Sequence, residues 1–170
     1  MNLGAVASLW RTLSDQQFAA WAAVARQKGM VPYRCFCKIN GTLAAYAQPR
    51  LLDPPKRERL RPNPVGALDI CNQRGAVTLR LRVPHAPAQF TFVFGVQWCS
   101  RGISVPRSNG VLLGPLPKAV QGWSEITDLY LNRFGQPPPG SRVFIWTRQL
   151  INGRKDALKH AFADVPPPEK

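Results

Sequence analysis

Acidic residues are scarce in this chain. Nine Asp and Glu stand against 23 Lys and Arg, which leaves a net charge of +14 over 170 residues. That imbalance directs the search for a partner toward polyanions. Long apolar runs are also missing. No stretch of about 18 uncharged apolar residues occurs, so neither a transmembrane helix nor a membrane partner is expected. Residues 1–10 carry no basic segment followed by a long apolar run and a cleavage site, so no signal peptide is expected either. Cysteine is sparse: Cys35, Cys37, Cys71 and Cys99. A small secreted scaffold would place more cysteines over fewer residues, so reduced thiols in a cytoplasmic protein are the expectation.

The motifs of chemistry are absent too. Cys35-x-Cys37 lacks the C-x-x-C spacing of a zinc knuckle, and His85 and His160 complete no ligand set. No G-x-S-x-G elbow, phosphate-binding loop or dinucleotide fingerprint is present. Among the acidic residues, Glu125 and Asp128 are one helical turn apart; they read as negative charge complementing a helix N-terminus. The expectation is a protein that is not an enzyme, with no catalytic residues, no metal and no cofactor; an enzyme with an unrecognised site is the minority alternative.

What the sequence does have is apolar residues and turns. Apolar residues make up 45% of the chain, which excludes general disorder. The 17 prolines and 13 glycines together reach about 18% of residues, against a usual ~12%. That excess argues for a turn-rich, largely β architecture. The expected class is α+β: an N-terminal helical hairpin over 1–47, a basic proline-rich strap over 48–64, an immunoglobulin- or fibronectin-like β-sandwich with one short helix over 65–152, and a basic proline-rich tail over 153–170.

Ser14-Asp15-Gln16-Gln17 has the form of a capping box. Behind it Phe18, Trp21, Ala22 and Ala25 fall on one helical face. Gly29 suits the C-terminal cap and Pro32 the first turn of a second helix. That helix repeats Phe36, Ile39, Leu43 and Tyr46, and the hairpin should hold Trp21 against Phe36. Beyond Gln48, Pro49, Pro54, Pro55, Pro62 and Pro64 exclude regular helix. Lys56, Arg57, Arg59 and Arg61 make this the most basic stretch of the chain. It reads either as a solvated linker or as an arm lying along a polyanion.

Val77, Leu79, Leu81 and Val83 alternate with Thr78, Arg80 and Arg82, the pattern of a half-buried strand with a basic outer face. Phe90, Phe92, Phe94, Val96 and Trp98 alternate in the same way and are expected to line the core. Short apolar runs at 103–105 and 111–113, read as strands, flank the Ser108-Asn109-Gly110 turn. Residues 142–151 are apolar on both faces, so that strand should be central; Asn152-Gly153 ends it. Ile126, Leu129, Tyr130, Arg133 and Phe134 fit a short helix with Ser124 as cap and Gly135 as stop. The alternative, a strand, would bury Asp128. The tail, ending in Pro166-Pro167-Pro168, is expected to be weakly ordered on its own.

Trp146 shares its face with Arg142, Phe144 and Arg148. That mixture reads either as a surface platform on which bases stack or as a core aromatic flanked by arginines whose stems are buried. The candidate nucleic-acid contacts are therefore Lys56, Arg57, Arg59, Arg61, Arg80, Arg82, Arg142, Arg148, Arg154 and Lys155. With no readout motif visible, the contact should run through phosphates and tolerate sequence, whether DNA or RNA.

Trp10-x-x-Leu13-Ser14-x-x-Gln17 with Ala20-Trp21, followed by Phe36-Cys37-Lys38-Ile39-Asn40-Gly41-Thr42-Leu43, resembles a module of uncharacterised bacterial and phage- or mobile-element-linked proteins. Ile126-Thr127-Asp128-Leu129-Tyr130, Phe134-Gly135 and Gly140-Ser141-Arg142-Val143-Phe144 look like the fibronectin-like half of such proteins. The resemblance implies that fold, carries across no catalytic residue, and suggests a virion or other particle subunit acting through protein–protein contacts.

Overall fold

The computed structural model describes residues 3–56, 59–87 and 90–169. They divide into two compact units, one of Met1–Arg59 with Ile151–Lys155 and one of Leu60–Leu150 with Asp156–Lys170. The class is α+β: N-terminal helices, then two antiparallel sheets and a short helix.

The first unit holds three helices, α1 (Leu3–Trp10), α2 (Asp15–Gln27) and α3 (Pro32–Ala45). The hairpin expected over 1–47 therefore gains a helix. The α1 sequence is apolar nearly all round, so it gives no periodic signal; its Val6 is fully buried. For α2 the capping box forms, with Gln17 N–H donating to Ser14 Oγ and Ser14 N–H to Gln17 Oε1. Gly29, at φ +60°, closes α2: its N–H reaches the Arg26 carbonyl and that of Met30 the Ala25 carbonyl. Pro32 opens α3 as expected. Both α1 and α2 pack on α3. Trp21 and Phe36 are fully buried, their rings edge to face at 5.1 Å. Burying such side chains contributes on the order of 2–3 kcal/mol each.

Asn40 is fully buried and clamps the start of the strap. Its amide donates to the Leu51 carbonyl at 3.1 Å, and its Oδ1 accepts from Leu51 N–H at 2.7 Å. Trp21 Nε1 donates to the Leu52 carbonyl at 2.6 Å.

The second unit is built on two sheets. The smaller has the order β1 (Leu68–Gln73), β2 (Ala76–Arg82), β6 (Trp123–Glu125). The larger is organised around β7 (Ser141–Ile151), with β3 (Phe90–Gly95) and the short β4 (Cys99–Ser100) along one edge and β9 (Lys159–Asp164) along the other. β5 (Val111–Pro115) pairs with β3 through a bulge at Val93 and Phe94. The short β8 (Arg154–Lys155) precedes β9 in sequence. The central place expected for residues 142–151 is thus observed. Leu68, Ile70, Val77, Leu79 and Leu81 of the smaller sheet and Val93, Val143 and Ile145 of the larger share one core with Ile126 and Tyr130. The alternation read for 77–83 holds: Val77, Leu79, Leu81 and Val83 are buried and Thr78 and Arg82 exposed. Near the C-terminus, Val165 is buried; Asn72 Nδ2 donates to the Pro166 carbonyl and Glu169 N–H to the Asn72 carbonyl.

Four expectations need correction. The phenylalanines of β3 do not line the shared core; Val93 does, and Phe90 is 66% exposed. On the inner face the position of Gly95 has no room for a side chain, since a Cβ there would sit 3.0 Å from Leu113 and 3.3 Å from Phe134. Pairing with β7 instead sets Phe94 opposite Trp146, in a second cluster with Val96 and Phe144. Residues 103–105 form no strand, and Ile103 is exposed. Ser124 does not cap the helix: it is a buried residue of β6 donating to the Pro117 carbonyl, and α4 (Thr127–Phe134) starts after Ile126. Gly135 does end α4, at φ +75°. Finally, residues 159–164, read as tail, form strand β9.

Candidate nucleic-acid interface

In the strap, Lys56, Arg59 and Arg61 are exposed; Arg57 lies outside the described residues. The Arg61 carbonyl accepts from Gln149 Nε2 at 2.7 Å, so its backbone is fixed while its side chain is in solvent. Asn63 Nδ2 donates to Thr147 Oγ1 at 3.1 Å, and Gly66 N–H donates to the Arg82 carbonyl at 2.7 Å. Prolines keep the described parts of this segment out of regular helix, and Lys56, Arg59 and Arg61 are at the surface. In the first unit Arg154 and Lys155 are exposed after the Asn152-Gly153 turn.

Period-2 alternation places Arg80 and Arg82 on the outer face of the smaller sheet, and register sets Arg82 opposite Trp123. Both guanidiniums lie over the Trp123 ring, at 4.7 Å for Arg80 and 5.1 Å for Arg82. Arg80 Nε also donates to Asp69 Oδ2 at 2.6 Å, and this hydrogen bond is the main cause that raises the Arg80 pKa above its ordinary value. Arg82 is the more exposed of the two.

The outer face of the larger sheet carries a row of rings. Cross-strand register sets Phe144 opposite Phe162 and Trp146 opposite His160. The Phe144 and His160 rings stack at 5.5 Å and 10°, Trp146 and His160 at 5.6 Å and 25°, and His160 and Phe162 at 5.4 Å and 29°. Trp146 is 1% exposed and Phe144 4%, so both belong to a satellite core, beside Val105 and Leu158. Of the two readings open for Trp146, the core aromatic is the one observed. The open end of the row is His160 and Phe162, the latter 51% exposed. Partial desolvation against the neighbouring rings, and then the charge of Arg107, lower the His160 imidazole pKa from its ordinary value.

Arg142 stands at the Phe162 end, its guanidinium 5.0 Å from the ring centroid. Asp164 holds it there in a two-point bond, Nε to Oδ1 at 2.6 Å and an Nη to Oδ2 at 3.1 Å. Arg101 reaches the same carboxylate at 3.1 Å. The Arg142 bond is the main cause that lowers the Asp164 pKa. Arg148 lies on the same face, with its Nε buried and without a hydrogen-bond partner among the described residues. Beside Arg101, an open cleft of about 420 Å³ runs between Trp98, Cys99, Ser141 and Pro138. At the core, Tyr130 donates to the Val96 carbonyl at 2.9 Å, and burial raises its pKa.

Of the sequence residues, the structure brings Arg80 and Arg82 together over Trp123 and sets Arg142 and Arg148 on one face of β7, while the described strap residues and Arg154 with Lys155 lie on exposed segments. His160, Phe162, Arg101 and Arg107 were missed as functional candidates. The signal for β9 was present: His160, Phe162 and Asp164 alternate with Ala161 and Ala163, after an Asn-Gly hairpin turn. The two arginines lie outside the strands and give no periodic signal.

Among the described residues no three His, Cys, Asp or Glu side chains are grouped to hold a metal ion. All four cysteines are free thiols. Among the described residues no helix is long and apolar enough to cross a membrane. The chain matches no protein-family model, no curated protein and no solved structure.

Proposed function

We propose that the chain is a non-enzymatic structural or interaction protein that contacts nucleic acid through phosphates, with little regard to sequence. The observation that carries this reading is its solvent-facing cation set. Lys56, Arg59, Arg61, Arg82 and Lys155 are exposed, and Arg80, Arg82 and Arg142 are laid over aromatic rings on the outer faces of both sheets. Exposed guanidinium and ammonium groups release counterions from a phosphate backbone whatever the bases. Within this reading the paired sheets are an immunoglobulin- or fibronectin-like sandwich, and the chain works in the cytoplasm or inside a virion or ribonucleoprotein particle. The test is fluorescence anisotropy with mixed-sequence, homopolymeric and duplex oligonucleotides. Binding in the micromolar range, similar across sequences, is expected. Absence of binding to all of them at about 100 µM in low salt overturns the proposal.

A second reading, a particle-assembly subunit related to the phage-linked proteins, is favoured by one observation. On the helical unit Phe18, Val31 and Tyr33 are 48%, 66% and 43% exposed. Apolar exposure of this kind suits a protein neighbour. Light scattering that shows a strict monomer, alone and with nucleic acid, counts against it.

A further inference from the structure

We propose that the outer face of the larger sheet takes the unpaired bases of a single-stranded nucleic acid, stacking them on Phe162 and His160. This deepens the reading above and rests on it. A phosphate contact needs cations alone; a row of open rings beside cations adds something that phosphate does not use. Phe162 is half exposed, and His160 beside it is exposed and in ring contact with it. Both are flanked across the strand pair by buried rings: Phe144 is in ring contact with His160 and Phe162, and Trp146 with His160, so the packed core fixes one side of the platform.

Cations stand at both ends of this short row. Arg107 opens the short turn whose Gly110 packs against Trp146, the cross-strand partner of His160, and Arg142 and Arg101 meet at Asp164. Along β9, residues 160 and 164 are about 13 Å apart at strand rise, so phosphates flanking a stacked base have a guanidinium on either side. Asp164 is the acidic group of this face, and two arginines already neutralise it. Bases in a duplex are stacked on one another and cannot offer a face to a ring, whereas every unpaired base can. An acidic protein would use the arginines and leave the rings idle.

The experiment compares a short oligothymidylate, a duplex of the same length, heparin and oligoglutamate, each bound to wild type, Phe162→Ala and Phe162→Leu. The expected result is a single-strand preference in wild type. Both substitutions should weaken oligothymidylate about 5- to 100-fold and change heparin less than about twofold. Phe162→Leu keeps apolar bulk on the strand and covers the case in which Ala unfolds it. Equal binding of single strand and duplex, unaffected by either substitution, overturns this inference and leaves the phosphate reading standing. A parallel loss of heparin binding also overturns it, as does tighter binding of oligoglutamate than of oligothymidylate. No binding to either oligonucleotide defeats the phosphate reading itself.

Discussion

Replacing Gly153 by alanine should destabilise the protein more than the same change at any open turn. Gly153 sits at φ +74°, a left-handed conformation that costs an L residue roughly 1–2 kcal/mol. A Cβ there would also lie 2.6 Å from Ile39 Cγ2 and 2.8 Å from the Ile39 carbonyl oxygen. Ile39 is 4% exposed and its carbonyl is part of α3, so neither neighbour can move aside freely. Overpacking of this kind costs about 1–3 kcal/mol more. The control is Gly140, at φ +79° with nothing within 4 Å of its virtual Cβ. Gly140→Ala should cost only the conformational part, roughly 1–2 kcal/mol, and Gly153→Ala about 2–5 kcal/mol. Urea unfolding of the two variants and wild type, extrapolated linearly to water, measures both. Equal losses for the two glycines would refute the packing of residues 151–155 with α3 in the helical unit.

Asn40→Ala should cost about 2–4 kcal/mol in the same assay, because both backbone groups of Leu51 lose their partner at a buried site; a loss below about 1 kcal/mol would contradict the clamp. Asp164 has a depressed pKa through its bond to Arg142. Its contribution to stability is therefore present above the unfolded carboxylate value of about 4 and is lost as pH falls through the lower folded value. Thermal melts from neutral to acid pH should fall more steeply for wild type than for Asp164→Asn; parallel curves would contradict this. Exchanging Lys56, Arg59 and Arg61 together for glutamine should change stability by less than about 0.5 kcal/mol each. It should also flatten the salt dependence of nucleic-acid binding by about 2–3 in log–log slope. A collapsed melting temperature with unchanged binding would make these residues structural.

Local signals made much of the fold legible, and tertiary arrangement hid the rest. The Ser14 capping box, Pro32, Gly135 and the alternation of residues 77–83 each satisfy a backbone or burial requirement within a few residues, so they can be read directly. The phase of β3 could not be read so. Its phenylalanine row and its small residues alternate equally well, and the narrow space around Gly95 decides which side faces the shared core. Helix α1 is apolar without contrast, so nothing marks its faces. Strand β9 was hidden by its neighbours: basic residues and three prolines read as tail, although β7 needed a partner on its second edge. The candidate interface shows the same division. Arg80 and Arg82 followed from alternation, whereas the meeting of Arg101 and Arg142 at Asp164 depends on a loop and two strands far apart in sequence.

The central claim is that exposed cations of this chain bind nucleic acid through phosphates. Its most direct test is the dependence of the wild-type association constant on salt, measured from about 50 to 200 mM with one mixed-sequence single strand. At least four phosphate contacts should give a log–log slope of about −3 or steeper. A slope between about −1 and zero, with binding still detectable, would contradict the claim.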